Sequence, residues 1–362
     1  MASKTPRQWI AKVSGRLPLR TVLTAPFVAQ VVLATGLVGY LSYQNGQQAV
    51  NDLANQLMQQ VGDRVDQHLD SRLELPQQLN QINLDQMQTN VLDLNNLQTM
   101  ERPFWKQLQV FNLTYIGYAN QKGDYIGVGY DRQNRVSFDI VDAAQPKQIS
   151  IYLATPEGRR GKLIETESGY DFTLEAWYAD LIHSKQPRWS QIYNWGAGYG
   201  DVISISAGTP VFNDRQQVLG VLAIDFSLTD LSAYIRQLKI SPNARVFITE
   251  HSGNLVATSV SQPYHIVNQA GVRLAATSSS DPTIRAVAQA LTEQFSSFKN
   301  IHDQQTLKLS VQSQTYFVQV TPWQDQYGLD WLIFVAVPES DFMGALLHNS
   351  LKKKGWLIAG CC

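Results

Sequence analysis

Hydrophobic positions along the chain change their period twice. Residues 22–41 form a continuous apolar run, and no charged residue falls between 21 and 44. About 20 helical residues at ~1.5 Å each cover the roughly 30 Å hydrocarbon core of a bilayer, and a helix satisfies its own backbone there. Leu53, Leu57, Val61, Val65, Leu69 and Leu73 then recur at every fourth position, while Asp63, Arg64, Asp66 and Arg72 fall off that stripe. This spacing predicts an amphipathic helix. Pro76 is the first strong breaker, after which apolar spacing resumes at Leu79, Ile82, Leu84, Met87, Val91 and Leu94. Residues 44–110 are therefore expected to form a long helical stalk. Its stripe packs either on its own domain or on a second copy, as a homodimer.

From Leu113 the period shortens to two. Residues 114–119 and 125–130 are rich in β-branched and aromatic residues, and a turn carrying Gly123 separates them, which predicts a hairpin. Further strands are expected at 136–140, 148–153, 203–210 and 218–227, with helices at 174–184 and 229–238. A second strand-rich unit begins near Arg245. It has strands at 246–249 and 255–258, a helix at 282–295, and closing strands at 315–321 and 331–337. The prediction is an α+β chain of two related antiparallel-sheet units in tandem, at 111–240 and 241–340. Residues 341–351 read as a helix, followed by Lys352, Lys353 and Lys354. The apolar residues at 355–362 are too few to span a bilayer. Residues 341–362 are thus expected to be a C-terminal helix and truncated tail.

Charge decides the orientation of the first helix. Lys4, Arg7, Lys12, Arg16 and Arg20 precede the apolar run and no cation follows it closely. This places a basic cytoplasmic N-terminus at 1–20, a transmembrane helix at 21–43 and the remainder outside the inner membrane, in the periplasm. The apolar run is longer than that of a cleaved signal peptide and leads into Tyr40 and Tyr43 without a small-residue cleavage site. Over all 362 residues the formal net charge is −1, which gives no reason to expect nucleic acid. The two cysteines are Cys361 and Cys362, so no disulfide, thiolate nucleophile or cysteine metal site is expected in the folded body.

Most catalytic chemistry lacks a constellation to carry it. His68, His183, His251, His265, His302 and His348 do not fall at helical ligand spacing, so no metal is expected. The glycine-rich stretch at 196–200 has no following Lys-Ser/Thr pair and reads as a hairpin loop rather than a phosphate cradle. No serine-hydrolase elbow occurs. The chain reads as a binding module and not an enzyme, with no cofactor.

Two segments carry a family resemblance. One contains Glu175, Ala176, Trp177, Tyr178, Ala179 and Asp180, followed by Trp189, Ser190 and Tyr193. The other runs Gly220, Val221, Leu222, Ala223, Ile224, Asp225, Phe226, Ser227 and Leu228. In that order, behind a membrane anchor and a long helix, they resemble the double Cache sensors of bacterial membrane receptors of the histidine kinase, cyclase and chemoreceptor type. The resemblance covers about residues 44–345. It implies two PAS-like units outside the membrane, the distal one holding a small ligand, and here a chain that stops before its output domain. Amino-acid-binding members carry an aromatic five before an Arg, Trp-Tyr shortly after it, a later Tyr and a strand-end Asp. Tyr170, Trp177, Tyr178, Tyr193 and Asp225 fit those places, while Glu175 stands where the Arg would grip a ligand carboxylate.

An acid in that place repels a carboxylate and attracts an ammonium, as do the faces of Trp and Tyr. Tyr170, Glu175, Trp177, Tyr178, Tyr193 and Asp225 are therefore the candidate ligand-binding residues, and the candidate ligand is a small amine or amino-acid-like molecule. Other readings of the same residues stand beside this one. Trp177 and Tyr178 also suit core packing, Glu175 a solvated surface, and Asp225 a cap for the helix at 229–238. The pocket then takes another small organic ligand or none. At the level of the chain, the expected function is small-molecule sensing for a transmembrane receptor. The alternative is a non-signalling, membrane-tethered binding protein or an inactive receptor fragment.

Overall fold

The computed structural model describes residues 19–195, 202–238, 240–260, 263–267, 270–311 and 313–342. The basic segment before residue 19, the glycine-rich loop at 196–200 and the tail after 342, with its lysines and both cysteines, lie outside these residues.

Helix α1 (Leu19–Gln88) is 70 residues long. Its first part leaves its apolar side chains exposed, Leu33 at 72%, and α1 is the helix among the described residues that is long and apolar enough to cross a membrane. From Leu57 onward α1 belongs to a compact unit that ends at Asp341. There the buried face differs from the expected stripe. Leu53 is 43% exposed and Leu57 only half-buried, whereas Met58, Val61, Val65, Leu69 and Leu73 are buried. A strict four-residue repeat drifts by about 40° per step against a 3.6-residue turn. The three-residue step from Met58 to Val61 corrects that drift.

Pro76 does not break the helix, contrary to expectation. A mid-helix proline costs about 3 kcal/mol, and tertiary contacts on both sides offset it. Leu73 and Leu79 are buried, and Asn80 Nδ2 donates to the Ala207 carbonyl at 2.8 Å. The helix stops instead at Asn90, which adopts φ 57°. The Val91 amide there donates to the Gln86 carbonyl at 2.9 Å and the Asn90 amide to Met87 at 3.1 Å, a Schellman closure with Asn in the usual place of Gly. Residues 44–110 are thus mainly helical, with the interruption at 89–96 rather than at Pro76. Helix α2 (Glu101–Phe111) follows a 3-10 turn and ends the same way at Asn112, φ 51°.

The first sheet is built from β1 (Tyr115–Asn120), β2 (Tyr125–Tyr130), β3 (Val136–Val141), β4 (Gln148–Ala154), β5 (Arg160–Ser168), β6 (Arg188–Trp189), β7 (Tyr193–Asn194), β8 (Ile203–Phe212) and β9 (Val218–Ser227). Their order is β5-β4-β3-β2-β1-β9-β8-β6, with β7 also on β8, and every pairing is antiparallel. Side chains alternate between two faces, as a strand requires. Ile116, Tyr118, Ile126, Phe138, Leu222 and Ile224 face Phe104 and Leu108 of α2 and Leu79 of α1. Tyr125, Val141, Ile149, Val221 and Ala223 lie in the other core, with Phe172, Trp177 and Leu181. The latter come from a 3-10 turn (Phe172–Leu174) and helix α3 (Ala176–Ile182). Helix α4 (Leu228–Gln237) leaves the end of β9.

The second sheet has five strands in the order β11-β10-β16-β15-β14. They are β10 (Arg245–Glu250), β11 (Leu255–Thr258), β14 (Gln305–Val311), β15 (Gln314–Gln324) and β16 (Asp330–Pro338). A separate hairpin is formed by β12 (Tyr264–Val267) and β13 (Ala270–Arg273). Helix α5 (Pro282–Phe295) starts at a true cap, Asp281 accepting from the Ile284 amide at 2.9 Å. It packs Ile284, Val287 and Leu291 on Phe247, Val318 and Phe334 of the sheet. The antiparallel α+β architecture in two sheets is as expected. The strands not expected include β5 and β14, each at one edge of its sheet, where the exposed charges of β5 and the exposed Lys308 of β14 suit an unpaired edge.

The register of α1 has a direct test. Leu69→Ala, at a fully buried position, is expected to lower unfolding free energy by ~2–5 kcal/mol. Ile82→Ala, at 48% exposure, should change it by less than ~0.5 kcal/mol. Urea titration of the detergent-solubilised chain, followed by tryptophan fluorescence, compares the two.

Candidate functional site

One face of the first sheet is hollowed rather than filled. Tyr115 begins β1 opposite Gly129 of β2, and Gly127 lies two residues further along the same face. A side chain at either glycine would collide with the Tyr115 ring, so these glycines give the ring a seat across β2. From there the Tyr115 hydroxyl reaches the next strand and donates to Asp139 Oδ2 at 2.7 Å. The Tyr125 hydroxyl in turn donates to Tyr115 at 2.7 Å. The other Asp139 oxygen, Oδ1, is buried without a hydrogen-bond partner.

Asp225 lies near the end of β9, paired in register with Tyr115 on one side and Ser206 on the other. It is 8% exposed. Its Oδ2 accepts from the Tyr193 hydroxyl at 2.8 Å and its Oδ1 from the Ser206 hydroxyl, and the Trp195 side chain lies beside it. Tyr193 and Trp195 are supplied by the short β6–β7 segment, which Trp189 and Tyr193 pair onto β8. Asp225 does not cap α4. Ser227 takes that role and accepts from the Thr229 amide at 3.2 Å.

The roof comes from the 3-10 turn and α3. Asp171 caps the turn by accepting from the Thr173 amide at 3.1 Å. Glu175 occupies the cap position of α3, yet its side chain makes no capping bond and lines the hollow instead. Trp177 packs on Tyr125 with ring centroids 5.3 Å apart and lies beside Tyr170. Together these surfaces enclose a cavity of about 180 Å³. Ile149 and Ile151 of β4 add an aliphatic wall, and Glu167 of β5 stands at the rim, 3.8 Å from Arg132 with both side chains about half-exposed.

Five of the six sequence-predicted residues line this cavity: Tyr170, Glu175, Trp177, Tyr193 and Asp225. Tyr178 stands behind the lining, buried edge-on against Trp177 and Phe172. The sequence reading missed Tyr115, Tyr125, Tyr130, Asp139, Glu167 and Trp195, which also line it. Asp139 carried a usable signal, since it shares its strand face with the buried Val141.

Among the described residues the lining holds four carboxyl groups, Asp139, Glu167, Glu175 and Asp225, and no Lys, Arg or His. Burial pushes Asp139 and Asp225 up to about 6, against the hydroxyl bonds from Tyr115 and from Ser206 and Tyr193 that favour their charged forms. Burial also raises Glu175, and burial with the neighbouring Glu165 raises Glu167. Among the described residues no group of three His, Cys, Asp or Glu is placed to hold a metal ion.

Two antiparallel sheets joined to one long N-terminal helix, with a ligand-sized cavity on the first sheet, define a sensor-type ligand-binding domain. The chain belongs to the Cache-domain family: the family model dCache_1, a Cache domain, matches residues 46–346. The double Cache resemblance read from the sequence is thereby established. Similar solved structures include the extracellular domain of a protein assigned as the histidine kinase soHK1S-Z6, 16% identical, with a TM-score of 0.52 over 83% of this chain and 99% of that one. Another is methyl-accepting chemotaxis protein X, 14% identical, with a TM-score of 0.50 over 80% of this chain and 99% of that one. A third is the ligand-binding domain of the Pseudomonas aeruginosa PAO1 amino acid chemoreceptor PctB in complex with L-Arg, 15% identical, with a TM-score of 0.47 over 80% and 95%. At these identities the likeness to the first two is one of fold alone. A search of curated proteins finds no match.

The buried acids give stability a distinctive pH dependence. Asp139 and Asp225 titrate at about 6 in the native chain and near 3.8 when exposed. The native state therefore binds more protons across that interval, and the contribution of these groups is greatest below the lower value and lost as pH rises through the upper one. Thermal melting of the ligand-free chain from pH 4 to 7, compared with an Asp139→Asn, Asp225→Asn double variant, isolates the effect. The melting temperature of the variant relative to wild type should rise with pH and level off above about pH 6.

Proposed function

We propose that this chain is the extracytoplasmic sensing module of a single-pass membrane receptor, and that the nine-stranded unit binds a small amine or another small organic cation. The observation that carries the reading is Asp225, 8% exposed, in a cavity whose lining among the described residues has three further carboxyl groups and no cationic side chain. A desolvated carboxylate is costly unless paired. A ligand ammonium supplies that pairing, and faces such as Trp177 and Tyr170 add ~0.5–2 kcal/mol each through cation–π attraction. A ligand carboxylate would meet Glu175 where a guanidinium would be needed.

The membrane part of the reading is supported by the exposed apolar surface of α1 and by the basic residues ahead of it. A ligand on the nine-stranded unit biases a receptor only through different affinities for two states. The segment carrying Tyr193 and Trp195 suits such a bias, because Trp189 within it donates to Asp325 of the β15–β16 turn at 2.6 Å. That turn follows Trp323, whose indole donates to Asp70 of α1 at 2.9 Å.

Titration calorimetry with a panel of primary amines and amino acids tests the ligand class. Amine binding is expected, and Asp225→Asn should weaken it by ~2–5 kcal/mol, at least thirtyfold. Tight binding of acidic or plain neutral amino acids, unchanged in Glu175→Ala, would overturn the amine reading. Orientation has its own measurement. A phosphatase fused at residue 150 should be active and a fluorescent reporter that folds only in the cytosol should stay dark; the reverse pattern removes the sensor assignment.

A further inference from the structure

The acids of the cavity fall into two groups at opposite ends. Asp225 lies on β9 and Asp139 on β3, with β1 and β2 between them. The register runs from Asp225 to Tyr115, from Tyr115 to Gly129, and from Gly127 to Asp139. Three strand spacings and a two-residue stagger put the two Cα atoms roughly 14–16 Å apart. Glu175 is close enough to Asp225 for the two charges to disfavour each other, and Glu167 stands in the same relation to Asp139. Between the ends lies a band without charge, made by Tyr115, Tyr125 and Tyr170 with Trp177 and Ile151.

We propose, resting on the amine reading above, that the cavity is built for an elongated dication, with one cationic group at Asp225 and Glu175 and the other at Asp139. Two features favour two cationic groups over one. Asp225 has a hydroxyl donor on each oxygen, from Tyr193 and Ser206, whereas Asp139 has one, from Tyr115, and its buried Oδ1 has none. A single ammonium seated at Asp225 leaves that oxygen unsatisfied, and a buried unsatisfied acceptor costs about 1–3 kcal/mol, more when charged. The second feature is the band itself. Aromatic faces accept a methylene stem without asking for hydrogen bonds, whereas a ligand amide or carboxylate in that stretch would be left without cationic partners. Glu167 lies outward of Asp139 and is weakly paired to Arg132 at 3.8 Å. It serves the mouth and not the buried end.

The spacing sets the length of the ligand. Each aspartate carboxyl leans in from its Cα, and each charge-assisted contact takes up about 2.7–2.9 Å. The cationic centres are then roughly 6–9 Å apart, which corresponds to a linear chain of four to six methylenes between two amines or between an amine and a guanidinium.

Titration calorimetry of the full chain in detergent, with the α,ω-diaminoalkanes of three to eight carbons and the matching 1-aminoalkanes, decides the matter. The expected result is an affinity maximum at four to six carbons, with the diamine at least tenfold tighter than the monoamine of equal length. In Asp139→Asn, with its fold checked by circular dichroism, the diamine-to-monoamine ratio should fall toward one. The length series in the wild-type chain needs no variant and stands if Asp139→Asn fails to fold. Monoamines binding as tightly as diamines, or a ratio unchanged in a folded Asp139→Asn, would overturn the dication while leaving the amine reading intact. Absence of binding by every amine would overturn both.

Discussion

The Asp225 carboxyl, near the end of β9, has Tyr193, Ser206 and Trp195 turned toward it. Each comes from a different position on the chain, and each is where it is because β7 and β8 pair in a fixed register beside β9. A carboxyl buried to this degree tolerates little error, since an unmade hydrogen bond inside costs more than a made one contributes. The nine-stranded sheet fixes the geometry by giving its two faces different tasks. Residues of one parity make an apolar core with α1 and α2, which holds the strands in place. Residues of the other parity are thereby available for a polar hollow.

The division explains features that have no role in stability alone. Gly127 and Gly129 give β2 no side chain on the hollow face, which weakens a strand, but the missing volume is filled by the Tyr115 ring. That ring carries a hydroxyl donor two strands across to Asp139. Glu175 shows the same logic at a helix start: the cap position suits an acid, yet its carboxyl lines the hollow. At these positions, local preference gives way to a site that holds negative charge out of water.

Much of the fold could be read from periodicity because most central strands are buried on a regular alternation. The strands 125–130, 218–227 and 255–258 and the helix at 282–295 stand where the pattern put them. The failures have physical causes. Edge strand β5 is polar on both faces and so lacks the signal that marks a strand, whereas β14 carries it, with Leu307, Leu309 and Val311 turned to the core between the exposed Thr306, Lys308 and Ser310. Pro76 was read as a breaker because propensity counts the lost hydrogen bond and not the packing of Leu73, Leu79 and Asn80 around it. At the site, Tyr170, Glu175, Trp177, Tyr193 and Asp225 were legible through a family pattern. Asp139 is marked only as a charge on the strand face of Val141, and Tyr115 not at all, because what they reach depends on register between strands, and a single sequence does not state register.

Tryptophan hydrogen bonds link the site to the rest of the compact unit. Trp189 gives its indole N–H to Asp325 and its backbone amide to the Tyr327 carbonyl at 3.2 Å, while Trp323 gives its indole N–H to Asp70. An indole has one donor and no acceptor, so each of these bonds fixes a large buried ring through a single polar contact. Asp325 is held further by the Tyr327 and Leu329 amides, at 2.9 and 2.8 Å. The acid that receives Trp189 is therefore stiffly mounted, and the segment between Trp189 and Trp195 has one end anchored there and the other on Asp225. Tyr193 bonds Asp225 directly, and only a short span of chain separates it from Trp189, whose partner Asp325 lies in the turn beside Trp323 and its bond to α1.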